Sequence, residues 1–210
     1  MQKKLKIPFV KSIQDQCGQA CTAMMIKYFK PDYNPDFQEM NEIIHYKQGT
    51  YSFPLQNAII LDHLGIKAHC FSSDDIKTQA EDPEQFKRWF GDDWDKVKKY
   101  VDIDAYDWMV TEGKKRNLFT VKKTSFDEIL SFLEKDMLAA FPIDWNTFQG
   151  KKGPYEGHFL LLTGMIDDDT LLVHDPDEGP YRKYSNIQVQ KAYEHPAIAD
   201  DFFVAYGLKH

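Results

Sequence analysis

The apolar residues of this chain change their period once along its length, and that change constrains the fold more than any other feature. In the first third they recur at helical spacing. Cys17, Ala20, Cys21, Met24, Met25 and Tyr28 share one face of a helix that Pro31 stops. Two shorter helices follow, each opened by a proline in its first turn: Pro35 ahead of Phe37, Met40, Ile43 and Ile44, and Pro54 ahead of Leu55, Ala58, Ile59, Leu61 and Leu64. Gly65 closes the last of them, and residues 66–71 read as a strand. In the last third the same residue types form short runs at 138–145, 158–166, 171–175, 181–184 and 202–206. Turn clusters such as Asp167-Asp168-Asp169 and Asp177-Glu178-Gly179-Pro180 separate them. Ser125 with Glu128, and Ser185 with Gln188, predict the caps of two further helices. Helices first and a mainly antiparallel sheet second is the α+β pattern.

Between the two regimes, residues 74–117 are rich in Asp, Lys and Glu yet carry Trp89, Phe90, Trp94, Tyr100, Tyr106 and Trp108. Asp82-Pro83 starts a helix there and Gly91 stops it, so the segment reads as helical pieces forming a cap inserted into a single domain spanning 1–210. A net charge of −7 without a Lys/Arg block leaves no footprint for nucleic acid or an anionic membrane. The longest apolar run, from Phe159 to Ile166, is far short of the roughly 20 residues that span a bilayer. Pro8, Lys11, Gln14 and Asp15 interrupt any signal-peptide core, which predicts a cytoplasmic protein. Three cysteines, at 17, 21 and 70, cannot all pair, and a reducing compartment keeps them as thiols. They lack the spacing of a zinc site.

Three residues stand out chemically: Cys17 at a helix start, His158 at a strand start and Asp175 at the end of the next strand. A free thiol ionises near a pH of about 8.5, and both a helix N-terminus and an imidazolium favour its anion. The helix alone contributes only about 0.3–1 kcal/mol, so an activated nucleophile also needs the histidine. If the runs on either side of Asp167-Asp168-Asp169 form a hairpin, His158 and Asp175 lie opposite each other within a couple of residues of register, on one face. The carboxylate then holds one imidazole nitrogen and leaves the other for the thiol. Gly157 leaves room for a substrate.

The segment Ile7-Pro8-Phe9-Val10, followed by Gln14-Asp15-Gln16-Cys17-Gly18-Gln19-Ala20-Cys21-Thr22-Ala23-Met24-Met25, resembles the nucleophile helix of the bacteriocin-processing, double-glycine-type cysteine peptidases and their stand-alone relatives in the papain-like superfamily. Gly157-His158-Phe159-Leu160-Leu161-Leu162-Thr163-Gly164 and His174-Asp175-Pro176 resemble the same family's base strand and Asp-Pro turn. The resemblance covers roughly residues 7–71 and 119–207. It implies a papain-like fold and thiol-dependent acyl transfer, foremost hydrolysis of a peptide or isopeptide bond, with a peptide or small acyl substrate and no cofactor or metal. Cys17 would attack the carbonyl, His158 relay the proton and Asp175 orient His158, while Gln14 and the Cys17 backbone N–H bind the oxyanion. The family carries a glutamine five or six residues before the nucleophile, where this chain has Lys11 and Ser12, so Gln14 is the nearest substitute. Losing one oxyanion donor costs about 2.7–4 kcal/mol. The same constellation also serves an acyltransferase or a deamidase, and without oxyanion stabilisation it becomes a catalytically silent binding module.

Overall fold

The structure is a computed structural model that describes residues 3–198 and 201–209. A two-residue strand β1 (Lys3–Lys4) precedes three helices, α1 (Cys17–Phe29), α2 (Phe37–Ile43) and α3 (Pro54–His63), and then strand β2 (Ile66–Ser72). Helices α4 (Gln85–Phe90), α5 (Trp94–Val97) and α6 (Ile103–Arg116) occupy the middle segment. They are followed by β3 (Phe119–Val121), α7 (Phe126–Glu134), β4 (Leu138–Asp144) and α8 (Trp145–Phe148). A strand-rich end completes the chain: β5 (Gly157–Asp167), β6 (Thr170–Asp175), β7 (Gly179–Ser185), α9 (Asn186–Tyr193) and β8 (Phe202–Leu208).

Local chemistry explains most of these boundaries. Pro54 occupies the first turn of α3, the Gln56 side chain accepts the Phe53 N–H at 2.9 Å, and Gly65 beyond the other end takes a φ of +76° that suits only glycine well. Ser125 caps α7 by accepting the Glu128 N–H at 3.2 Å, while the Glu128 carboxylate turns outward to Lys122. Two expectations need correction. The cap of α2 is Asp36, which accepts the Gln38 N–H, so Pro35 sets the approach and lies outside the first turn. Ser185 precedes α9 without a side-chain cap, because Gln188 reaches across to the Phe148 carbonyl at 2.7 Å and is not part of a box.

The strands form one sheet in the order β3-β2-β8-β4-β5-β6-β7, with β1 paired to the far end of β5. Pairing is antiparallel except between β2 and β3. Every residue of β4 is buried, and helices α1, α3, α7 and α9 all pack on this strand, so helices from both ends of the chain enclose the sheet. Alternation would be uninformative on such a strand. The middle segment sits directly on the core. Helix α6 packs on α3 where Gly113 lets the Leu55 side chain approach: a Cβ at 113 would stand 2.6 Å from Leu55 Cδ2. Phe86 stacks on Trp94 with ring centres 5.4 Å apart and meets Tyr106 edge to face at 4.6 Å. Among the described residues no helix is long and apolar enough to cross a membrane.

The hairpin of β5 and β6 decides the geometry of the candidate site. Leu161 pairs with His174 and Leu162 with Val173, and irregularities near Gly164 and Met165 then shift the register. Extending the Leu161–His174 pairing toward the strand ends sets His158 across from Asp177, with Asp175 one diagonal step away on the same face.

Candidate active site

Cys17 is the first residue of α1, and Gln16 before it makes no side-chain cap, so the backbone N–H groups of the first turn keep their donor capacity toward the site. The chain reaches this helix through a turn in which Gln14 and Asp15 both take positive φ, 46° and 64°. For residues with a Cβ that conformation costs on the order of 1 kcal/mol or more each and must be held by its surroundings. One restraint is visible: the Ser12 N–H donates to the Pro176 carbonyl at 2.9 Å, tying the approach to Cys17 to the turn that follows Asp175.

Gly18 allows the helix start to sit tightly in its socket. A Cβ there would meet Ser52 Oγ at 2.6 Å, Asn57 Nδ2 at 2.9 Å and Phe159 Cδ2 at 3.3 Å. Gly18→Ala would gain about 1 kcal/mol of helix propensity. Overpacking costs about 1–3 kcal/mol, and Asn57 cannot yield because its amide is bound to the Phe53 carbonyl and to Thr22. Net destabilisation is therefore expected, read as a lower Tm; an unchanged or higher Tm would show that the socket relaxes.

The thiol, imidazole and carboxylate come together at the start of α1 and the ends of β5 and β6. The Phe159 N–H donates to Cys17 Sγ at 3.4 Å, which sets His158, the residue before it, beside the thiol while its ring is bonded to Asp175. The His158 Nε2–H donates to Asp175 Oδ1 at 2.9 Å. Asp175 is fully buried and its lone pairs are well used. Oδ1 also accepts the N–H groups of Asp177 and Glu178, at 3.0 and 3.1 Å, and Oδ2 accepts the Tyr184 hydroxyl at 2.7 Å. Burial alone would raise the Asp175 pKa, but the His158 contact, Tyr184 and the Glu178 N–H outweigh it and hold the carboxyl below its ordinary value. Burial likewise works against charge on His158. The hydrogen bonds and charges of Asp175 and Cys17 prevail and push it up to about 10, so the imidazolium persists through neutral pH. The Trp145 ring, 4.8 Å from that of His158, covers one side of it.

Asp177 is a neighbour of His158 that sequence reasoning missed, although its position in the turn two residues after Asp175 was the available signal. Its Oδ2 lies 3.6 Å from His158 Nδ1, the nitrogen that Asp175 leaves unused. Asp177 is mostly exposed, so solvent screening limits its pull to about 1 kcal/mol or less. Asp177→Asn is expected to speed alkylation of Cys17 at pH 6 by no more than about fivefold, through loss of a competitor for Nδ1. A tenfold or greater slowing would instead make Asp177 a residue that orients the ring.

The remaining sequence candidates separate clearly. Gln14 is exposed on the turn ahead of α1 and is not among the residues lining the cleft beside Cys17, whereas its neighbour Asp15 is. Gln16 is buried, with Oε1 accepting from Asn41 at 2.9 Å. Cys21 and Cys70 are fully buried, and burial first, with nearby negative charge second, pushes both thiols well above the ordinary range. His174 faces away from the site. Its Nε2–H donates to the Ile7 carbonyl at 2.9 Å and its Nδ1 accepts from Tyr181, a buried neutral ring whose role is structural. Among the described residues no cluster could hold a metal ion.

A thiol on the first helix, facing an imidazole and a carboxylate carried by adjacent strands of the later sheet, defines the papain-like class of fold. The sequence model described as the Peptidase_C39 like family matches residues 2–197, and the chain belongs to that family. A Bacillus anthracis protein described as a C39-like peptidase superposes with a TM-score of 0.57 at 11% identity, covering 100% of both chains. The peptidase domain of Streptococcus ComA, a bifunctional ABC transporter of a quorum-sensing pathway, gives 0.48 at 12% identity, with 96% of this chain and 98% of that one covered. A double glycine motif protease from an AMS/PCAT transporter, solved with its leader peptide, gives 0.49 at 13% identity and 98% coverage of each. The comparison with curated proteins gives no match. Family and fold together support a cysteine peptidase-type function.

Proposed function

We propose that this chain is a cysteine peptidase that hydrolyses a peptide or isopeptide bond with Cys17, His158 and Asp175. The observation that carries the reading is the position of His158, bonded to a buried carboxylate at 2.9 Å and next in the chain to Phe159, whose N–H donates to the helix-start thiol. Cys17 attacks the carbonyl as the thiolate, so that the Sγ–C bond forms while the carbonyl electrons move to oxygen. The Cys17 backbone N–H holds that oxyanion. His158 gives its proton to the departing amine, which is easier once the thiolate charge that raised its pKa has been consumed in the new bond. Neutral His158 then takes a proton from water, the hydroxide adds to the thioester, and Cys17 leaves. The oxyanion assignment rests on the backbone, since the Gln14 side chain stands outside the cleft.

The test is cleavage of a mixed peptide library read by mass spectrometry, alongside alkylation of the native protein. Time-dependent cleavage that Cys17→Ala abolishes, with a single alkylated site at Cys17, is expected. Alkylation of Cys17 without any cleavage or acyl exchange would leave a silent binding module.

A further inference from the structure

A cleft of about 670 Å³ opens beside Cys17, with aromatic side chains on its walls and charged groups, among them Asp15, Lys96, Lys99 and Glu156, also in its lining. Tyr51 comes from the loop before α3, Phe90 and Tyr100 from the middle segment, and Tyr155 and Phe159 from the β5 side. His158, Asp175 and Asp177 do not line it. This asymmetry orients a substrate. An attacked carbonyl carries the acyl chain on one side and the leaving nitrogen on the other, and the nitrogen must lie where His158 can protonate it. The acyl chain is thereby directed into the aromatic cleft.

The middle segment closes that cleft by joining its two walls. The Tyr51 N–H donates to the Tyr100 carbonyl at 2.7 Å, and the Tyr155 N–H donates to the Asp93 carboxylate at 3.0 Å. Rings from the opposing walls meet: Tyr51 and Tyr155 have centres 5.8 Å apart, and Phe90 lies 5.6 Å from Tyr155. Three independent stretches of chain thus hold a preformed pocket, with aromatic rings on its walls, of the size that takes a small-molecule ligand. Side chains of one or two residues can fill it, while a pair of glycines would leave it empty.

Resting on the peptidase reading above, we propose that the pocket selects a short acyl group bearing a bulky aromatic or branched apolar side chain at one of the two residues preceding the scissile bond. Residues 74–117 are then the specificity element of the enzyme, a cap on the acyl side of the cleft. Tyr100, itself partly exposed, is a wall residue that can be altered without emptying the core.

Peptide aldehydes test this directly, because they present an acyl side and no leaving group. They add reversibly to Cys17, with the Sγ–C bond forming as the oxygen gains a proton, and so protect it from iodoacetamide. Acetylated dipeptide aldehydes carrying Gly, Ala, Leu, Phe or Tyr at either position are compared by the concentration giving half-protection. Aldehydes with Leu, Phe or Tyr at the favoured position should protect at least ~50-fold more strongly than glycylglycine aldehyde. Tyr100→Ala should shrink that ratio several-fold. Equal or better protection by the glycine aldehyde, with alkylation still dependent on His158, overturns the pocket assignment and leaves the peptidase reading standing. Alkylation that is independent of His158 removes both.

Discussion

His158→Ala is expected to reduce kcat/KM by at least ~10³-fold while leaving Cys17 in place, because it removes both the counter-charge of the thiolate and the acid that protonates the leaving amine. The two losses separate by pH. His158 is held protonated up to a pH of about 10 by Asp175 and Cys17, so in the native protein the imidazolium accompanies the thiol across the whole neutral range. Without it, only the helix start and neighbouring N–H groups favour the thiolate. Alkylation at pH 6 should then fall by on the order of 10²-fold in the variant and converge with the native rate above pH 9. Cys21 and Cys70 provide the internal control, being buried with thiols pushed well above the ordinary range. A profile unchanged by His158→Ala would show that helix and backbone N–H groups alone activate Cys17, and would end the acid–base role of His158.

Much of this arrangement is legible in the amino-acid order, and the parts that are not share a physical cause. Helix α1 begins at Cys17 as its 3.6-residue pattern predicts, and the five strand runs of the last third all appear as β4 to β8. Periodicity reports burial, and these elements are buried on a regular face. The strands β1, Lys3–Lys4, and β3, Phe119–Val121, are too short to show any period; they exist because β5 and β2 offer them edges. Counting from the centre of the predicted turn gives the approximate pairing of His158 with Asp175, but the hairpin closes on the Asp167–Thr170 pair, and the irregularities near Gly164 and Met165 bring the position opposite His158 back only from Gly179 to Asp177. A residue count cannot detect a bulge. Gln14 lies away from the cleft for a similar reason: three residues before the nucleophile is close in sequence, yet positive φ at 14 and 15 builds a turn that leaves its side chain exposed. Tyr184, which completes the Asp175 shell, and Asp93, which fastens the cap to Tyr155, are tertiary contacts between ordinary polar residues and carry no local signal. The aromatic density of residues 74–117 is visible in the sequence, whereas its place in the lining of the cleft beside Cys17 follows only from the tertiary fold.

Asp175 should show two different phenotypes according to what replaces it, because it supplies both a charge and a set of acceptors. Asp175→Ala removes the acceptors for His158, for two backbone N–H groups and for the Tyr184 hydroxyl. Breaking a buried charged pair in this way costs about 3–5 kcal/mol, so a large fall in Tm is expected together with a ~10²- to 10⁴-fold loss of kcat/KM. Asp175→Asn keeps the shape. Three of the four donors converge on Oδ1, which orients the amide with its oxygen toward His158, and the Tyr184 hydroxyl can reverse to accept from the amide nitrogen. The imidazole stays oriented and loses only its charged partner, so its pKa should fall from about 10 toward the ordinary histidine value. The signs for stability follow. The raised pKa of His158 contributes stability that is complete below a pH of about 6.5 and lost as pH rises through about 10. The depressed pKa of Asp175 contributes stability present above a pH of about 3.9 and lost as pH falls through its folded value. The difference in Tm between the native protein and Asp175→Asn should therefore be largest between about pH 4 and 6.5 and narrow on both sides. A difference that stays constant with pH would mean that Asp175 acts through packing and hydrogen-bond geometry, with no contribution from its charge to the state of His158.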